Sequence, residues 1–158
     1  MKSIINFAII SALTVFVNTH LYSQTSTEGI FVGSSPCGNN LKPLFGIPAD
    51  GTCEYAKWTI TLYPNATFHI SCLYGDSKPN TSDFIGGGKK VEFDGKWQMQ
   101  KGTKANENAV IYMLTLDKPN YQLSFVKLDE NIIHLLDANK NLMIGNSGYN
   151  FTFSRLIK

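Results

Sequence analysis

Hydrophobic and polar positions alternate with a period of two along most of the chain after Tyr55. In "KWTITLY" the residues Trp58, Ile60 and Leu62 share one face, and in "TFHISCLYG" the alternation places Phe68, Ile70 and Cys72 together. Such alternation is typical of half-buried strands. The dipeptide Pro64–Asn65 between the two stretches supplies turn chemistry, so they are predicted to form a hairpin.

The same pattern continues to the carboxyl end. Strands are predicted in "KVEFDGKWQMQKG", "AVIYMLTL", "YQLSFVKL", "IIHLLD", "LMIG" and "YNFTFSRL", with a tight turn or bulge at Asp94–Gly95. The breaks "DKPN", "DEN", "ANKN" and "NSG" recur about every 8–12 residues, and no stretch of helical length shows a 3.6-residue period. The sequence therefore predicts an all-β fold, a small antiparallel up-and-down barrel or half-barrel of lipocalin-like form.

The first residues have the composition of a secretory signal. Lys2 precedes an apolar run from Ile4 to Val17, and polar residues follow. The run is shorter than the ~20 apolar residues that span a bilayer, which favours a signal peptide over residues 1–23 rather than a retained anchor. No second long apolar run follows, and no cysteine stands at the cleavage point. An exported product, periplasmic or extracellular, is predicted, with no transmembrane segment after cleavage.

Residues 24–54 are rich in Gly, Pro, Ser, Thr and Asn, and are predicted to be an ordered loop ahead of the strands. Cys37 and Cys53 bracket most of it. In an exported protein a disulfide between them would close the loop over about residues 33–54, and would stabilise the fold by about 3 kcal/mol. A pairing that involves Cys72, or no disulfide, remains open; otherwise Cys72 is expected to be buried. The organisation predicted is one barrel domain over residues 24–158.

The net charge and the spacing of possible ligand residues argue against several classes of function. Once Lys2 is removed, 13 basic residues face 12 acidic ones, and no basic run is present, so a nucleic-acid partner is not expected. His69, Cys72 and Met113 are weak candidates for soft-metal ligation, but no pair of ligand-type residues has close spacing, and no metal or other cofactor is predicted. No serine, histidine or carboxylate pattern indicates catalysis, so the chain is predicted not to be an enzyme.

A ligand cavity is one hypothesis for the barrel interior. An eight-stranded barrel can enclose one small apolar ligand, and Trp58, Cys72 and Trp97 are the side chains expected to line such a cavity. The alternative is that these side chains simply fill the core. A small apolar ligand or another envelope protein are the partners considered.

Three stretches resemble a known family. "FVGSSPCGNN", "GKWQMQKG" and "IIHLLDANKNLMIGNSGYNFTFSRL" resemble the NlpE-type copper-homeostasis lipoproteins of Gram-negative envelopes, in a secreted branch without the lipid-anchor cysteine. The resemblance implies a small lipocalin-like barrel and a role in copper tolerance or in reporting envelope stress. The family's P-C-x-x-C motif is matched at Pro36 and Cys37, whereas Asn40 occupies the position of the second cysteine.

Overall fold

The chain folds into one closed antiparallel barrel of eight strands. The computed structural model describes residues 29–118 and 121–157, so the predicted signal peptide lies outside the described residues. The strands are β1 (Gly29–Pro36), β2 (Tyr55–Leu62), β3 (Thr67–Gly75), β4 (Lys89–Lys101), β5 (Val110–Leu116), β6 (Gln122–Lys127), β7 (Ile132–Leu136) and β8 (Thr152–Arg155).

Each strand pairs with its sequence neighbour, and the last strand returns to the first. β8 pairs with β1 through Phe31 opposite Arg155 and Val32 opposite Ser154, which closes the sheet. The prediction of an all-β up-and-down fold is confirmed, and the barrel is complete rather than half-open. Closure removes the unpaired strand edges that an open sheet would expose.

Aromatic side chains fill the inside of the barrel. Phe153 on β8 contacts Trp58 edge-on at 5.9 Å between ring centroids and Phe125 at 5.5 Å. These rings belong to one continuous core together with Phe31, Phe68 and other apolar residues of every strand. Edge-to-face packing of this kind contributes beyond the area that it buries.

The first strand was missed by the sequence analysis, which interpreted residues 24–54 as a loop. β1 presents small residues to the interior: Gly33 lies opposite Trp58, and a Cβ there would meet Phe153 at 2.8 Å. The buried hydroxyl of Ser35 accepts a hydrogen bond of 2.9 Å from the indole Nε1 of Trp58. Small and polar residues are therefore required on β1 because its neighbours carry large rings.

The turn or bulge predicted at Asp94–Gly95 was also wrong. β4 runs without interruption through both residues, paired to β3 on one side and to β5 on the other. A Cβ on Gly95 would lie 2.1 Å from the carbonyl oxygen of Thr115 and 2.9 Å from the ring of Phe68. The glycine makes room for a neighbouring ring, a use of glycine within strands that does not break pairing.

One end of the barrel is covered by the segment between β1 and β2. The short helix α1 (Lys42–Phe45) places Leu44 and Phe45 in the core, where the Phe45 ring stacks on Tyr74 at 4.9 Å. The Tyr74 hydroxyl donates to the Phe45 carbonyl at 3.1 Å, and the Tyr121 hydroxyl donates to that of Pro43 at 3.2 Å. We call residues 37–53 the plug.

The connections on the outer wall contain little regular structure. The predicted strand "LMIG" is reduced to one isolated bridge between Leu142 and Leu136, because the chain turns back tightly at 137–141. The long loop after β3 is held against the wall by Phe84, whose ring stacks on Tyr55 at 4.3 Å. Among the described residues, no helix has the length and apolar character needed to cross a bilayer.

Candidate functional site

The two cysteines of the plug form a disulfide, as predicted. Cys37 and Cys53 are bonded with their Cα atoms 5.7 Å apart, and Cys37 is fully buried. Because β1 extends to Pro36, the closed loop begins at Cys37 rather than near residue 33. The bond ties the plug to the barrel at the point where the chain leaves β1.

Trp58, Cys72 and Trp97 are all buried in the same core, but Trp97 does not lie beside the other two. Trp58 lies opposite Cys72 in the β2–β3 register, whereas Trp97 is further towards the other end, with its indole Nε1 donating to the Tyr63 carbonyl at 3.1 Å. The clefts that the described residues form at the surface, including the one described below, are lined by other side chains. An interior cavity lined by these three side chains stays a prediction.

The weak metal candidates lie apart. His69 is on the outer face, where its Nδ1 is 2.8 Å from the Asp94 carboxylate, while Cys72 faces the core and Met113 lies on β5. Burial raises the pKa of the Cys72 thiol far above its ordinary range, which disfavours the thiolate that ligates metals. Within the described residues no group of three or more His, Cys, Asp or Glu side chains is arranged to hold a metal ion.

One buried polar atom in the interior is unsatisfied. The Tyr112 hydroxyl on the inner face of β5 has no hydrogen-bond partner among the described residues, although the residue is 1% exposed. Its ring meets Trp97 edge-on at 5.8 Å, and Met99 lies opposite it on β4. Burial raises the pKa of this phenol, so it stays protonated and can donate a hydrogen bond.

A second apolar cluster lies outside the barrel. On three adjacent strands the alternation of apolar and polar residues is interrupted. Ile111, Val126 and Leu136 point away from the core and are nevertheless buried, and Ala109 packs against them. Outward-facing apolar residues on a barrel wall need cover from another element or a partner. The chain itself supplies this cover, since the three side chains are 5% exposed or less.

The outer-wall cleft, as we call it, opens over this cluster. It has a volume of about 540 Å³ and lies between the β4–β5 loop and the segment after β7. Leu128 and Leu142 line it, and each is 55% exposed. The complete lining comprises Thr103, Lys104, Ala105, Asn106, Ala109, Val126, Lys127, Leu128, Lys140, Asn141 and Leu142.

Both walls of the cleft are built from hydrogen-bonded turns. The Asp137 carboxylate accepts from the backbone N–H of Asn139 at 2.8 Å and of Asn141 at 2.9 Å, and the amide of Asn141 adds a third bond. These bonds, chiefly those from Asn141, lower the pKa of Asp137. On the other wall the Thr103 hydroxyl accepts from the backbone N–H of Asn106 at 3.0 Å. The cleft is thus preformed by its own turns.

The cleft carries positive charge on its rim. Lys104, Lys127 and Lys140 line it, and of the described residues in its lining none is acidic. Two carboxylates lie beside it: Glu130 pairs with Lys127 at 2.5 Å, and Asp137 is engaged in its own turn. Lys127 lies opposite Ile133 on the inner face of β6, so its side chain points away from Val126 and its ammonium pairs with Glu130, which leaves Lys104 and Lys140 as the cations at the rim.

This cleft was not predicted from the sequence. A signal for it was present in the consecutive apolar pairs Ile111–Tyr112, Phe125–Val126 and Leu135–Leu136, which are apolar on both faces of a strand. The sequence did not predict that Lys104 and Lys140 lie at one site, because the loops that contain them are far apart in the chain.

Comparisons with known proteins give no relative. No protein-family model, no curated protein and no solved structure matches this chain. The resemblance to the NlpE-type family stays a prediction, and the function has to be argued from the geometry.

Proposed function

We propose that this chain is an exported, non-enzymatic binding module that recognises its partner on the outer wall of the barrel. The observation that carries the proposal is the outer-wall cleft, with Leu128 and Leu142 half exposed over an outward-facing apolar cluster. Ligand sites are typically concave, mostly apolar and edged by a few convergent polar groups, and pockets of this volume are common among them.

Export is supported by the plug. The Cys37–Cys53 disulfide persists in oxidising compartments and is rare in reducing ones. The apolar run over Ile4–Val17 supports the same location. A role similar to that of the NlpE-type proteins, as a reporter of envelope stress, rests on the sequence resemblance alone and forms the finer version of this proposal.

Site-specific photo-crosslinking in producing cells tests the proposal. A photoreactive amino acid replaces Leu142 in the cleft or, as the matched control, Ile85, which is similarly exposed at 62% but lies on another part of the surface. We expect an adduct of defined mass from position 142 and little from position 85. Equal yields at both positions, or no adduct at 142, would refute the proposal.

A second candidate function is a carrier that holds a small ligand inside the barrel. The unsatisfied Tyr112 hydroxyl favours it, since native proteins rarely leave a buried donor without a partner. Native mass spectrometry of the purified exported protein tests this candidate. A retained small molecule that is lost in Tyr112→Phe supports the carrier, and wild-type protein at the bare chain mass contradicts it.

A further inference from the structure

The outer-wall cleft combines an apolar floor with cationic groups at its edge. Val126 and Leu142 contribute to the floor, and Lys104 and Lys140 line the same cleft. An occupant that complements both must be apolar along its length and anionic at one end. Neutral apolar ligands would leave the lysines without a role, and small inorganic anions would leave the floor exposed to water.

The size of the cleft favours a single small molecule over a folded protein. A stable protein interface is a broad surface that buries roughly 800 Å² on each partner, whereas this site is a concavity, and its volume of about 540 Å³ is in the range of small-ligand pockets. The cleft is concave and lies between two loops. This shape fits a single acyl chain better than it fits the flat surface of a bilayer. Few large apolar side chains are exposed around it: Leu128, Leu142 and, two residues further on, Ile144.

The walls are organised before a ligand arrives. The Asp137–Asn141 bonds position Lys140 and Leu142 on one side, while the Thr103–Asn106 bonds position Lys104 on the other. A preorganised site loses less conformational entropy on binding.

From these features, and resting on the proposed function, we infer that the occupant of the outer-wall cleft is a monomeric, single-chain anionic amphiphile with a carboxylate or similar acidic head. Its acyl segment lies on the Val126–Leu142 floor. Its head group is held at the lysine rim by charge-assisted hydrogen bonds. Nothing covalent changes in the complex.

Calorimetric titration of the purified exported protein provides the test, with sodium dodecanoate and 1-dodecanol as probes below their aggregation limits. We expect dodecanoate to bind one to one, and dodecanol about tenfold more weakly, since each surface ion contact contributes up to ~1 kcal/mol and tenfold corresponds to 1.4 kcal/mol. The combined replacement of Lys104 and Lys140 by Gln should weaken dodecanoate to the level of dodecanol while leaving dodecanol unchanged.

Two further variants locate the binding. Leu142→Glu places a charge on the floor and should abolish binding of both probes, whereas the matched surface change Ile85→Glu should leave both affinities unchanged. Unaltered far-UV circular dichroism shows that the variants are folded. Dodecanoate that binds Leu142→Glu as tightly as wild type would overturn the inference and indicate an interior site.

Other outcomes would overturn it in favour of another occupant. Co-sedimentation with phosphatidylglycerol vesicles in a Leu142-dependent manner, without binding of dodecanoate, would indicate a membrane surface. A protein adduct at position 142 in cells, together with no dodecanoate binding, would reject the amphiphile and leave the proposed function standing. Absence of both the adduct and the binding would reject both.

Discussion

Removing the disulfide is expected to destabilise the barrel by about 3 kcal/mol. The bond closes a loop with a sequence separation of 16, and the loop-entropy relation assigns about 3 kcal/mol to a closure of that length. The double variant Cys37→Ala/Cys53→Ala loses this restriction of the unfolded chain. For a domain of this size such a loss lowers the melting temperature by about 10 °C.

Contacts of the plug other than the disulfide should remain in the double variant. The plug keeps the Phe45–Tyr74 stack at 4.9 Å and the hydrogen bonds from Tyr74 and Tyr121, so the native barrel should persist. Urea unfolding of wild type and of the double variant, both without reductant, measures the difference, and the m-value should rise because the uncrosslinked chain unfolds further. Wild type treated with dithiothreitol should match the variant. A loss below ~1 kcal/mol would refute the entropic reasoning.

Three other perturbations have definite expected outcomes. Tyr112→Phe should stabilise ligand-free protein by about 1–3 kcal/mol in urea unfolding, because it removes a buried unsatisfied hydroxyl; a loss of stability would show that the hydroxyl is satisfied in solution. Gly95→Ala should destabilise by about 1–3 kcal/mol or more, since its Cβ would clash with Phe68 and a β5 carbonyl, and unchanged stability would contradict this. Because the pKa of Asp137 is lowered in the folded protein, the ionised carboxylate stabilises its turn above the ordinary carboxyl pKa, and this stabilisation is lost as the pH falls through the folded pKa. Acid titration followed by NMR should therefore shift the Asn141 amide resonance. Asp137→Asn should abolish that shift.

Local patterning was sufficient to predict most of the barrel. Strands β2 and β3 carry a strict alternation, and their hairpin is confirmed with Trp58 opposite Cys72. The pairing Cys37–Cys53 was also accessible, because the segment between the two cysteines has little else to hold it. These features depend on residues that are close in sequence, where period and turn chemistry act directly.

The errors share one physical cause. Gly33, Ser35 and Gly95 were interpreted as loop or turn residues, but each is small because a large ring of another strand occupies the space beside it. Secondary-structure propensity depends on neighbouring residues in the sequence, whereas the steric fit between Gly33 and Phe153 involves the first and the last strand. Tertiary packing therefore overrode the local signal at these positions.

The outer-wall cleft was beyond sequence reasoning for a related reason. It requires the β4–β5 loop and the turn at 137–141 to approach across the outer face of two strands, and that approach depends on barrel closure and register. Lys104 and Lys140 are 36 positions apart, and each taken alone resembles any solvated lysine. Only the three-dimensional arrangement shows that they edge the same apolar floor.

The filled interior and the apolar outer wall are two aspects of one constraint. An eight-stranded barrel has room either for its own side chains or for one small ligand, and here Trp58, Phe125 and Phe153 pack against one another within it. Strands that bury one face need no apolar residues on the other, yet Ile111, Val126 and Leu136 place them there. Neighbouring segments of the chain cover these three residues to 5% exposure or less. The apolar surface that stays exposed lies instead at Leu128 and Leu142, beside Lys104 and Lys140 in the cleft, which is the arrangement that the proposed recognition on the outer wall requires.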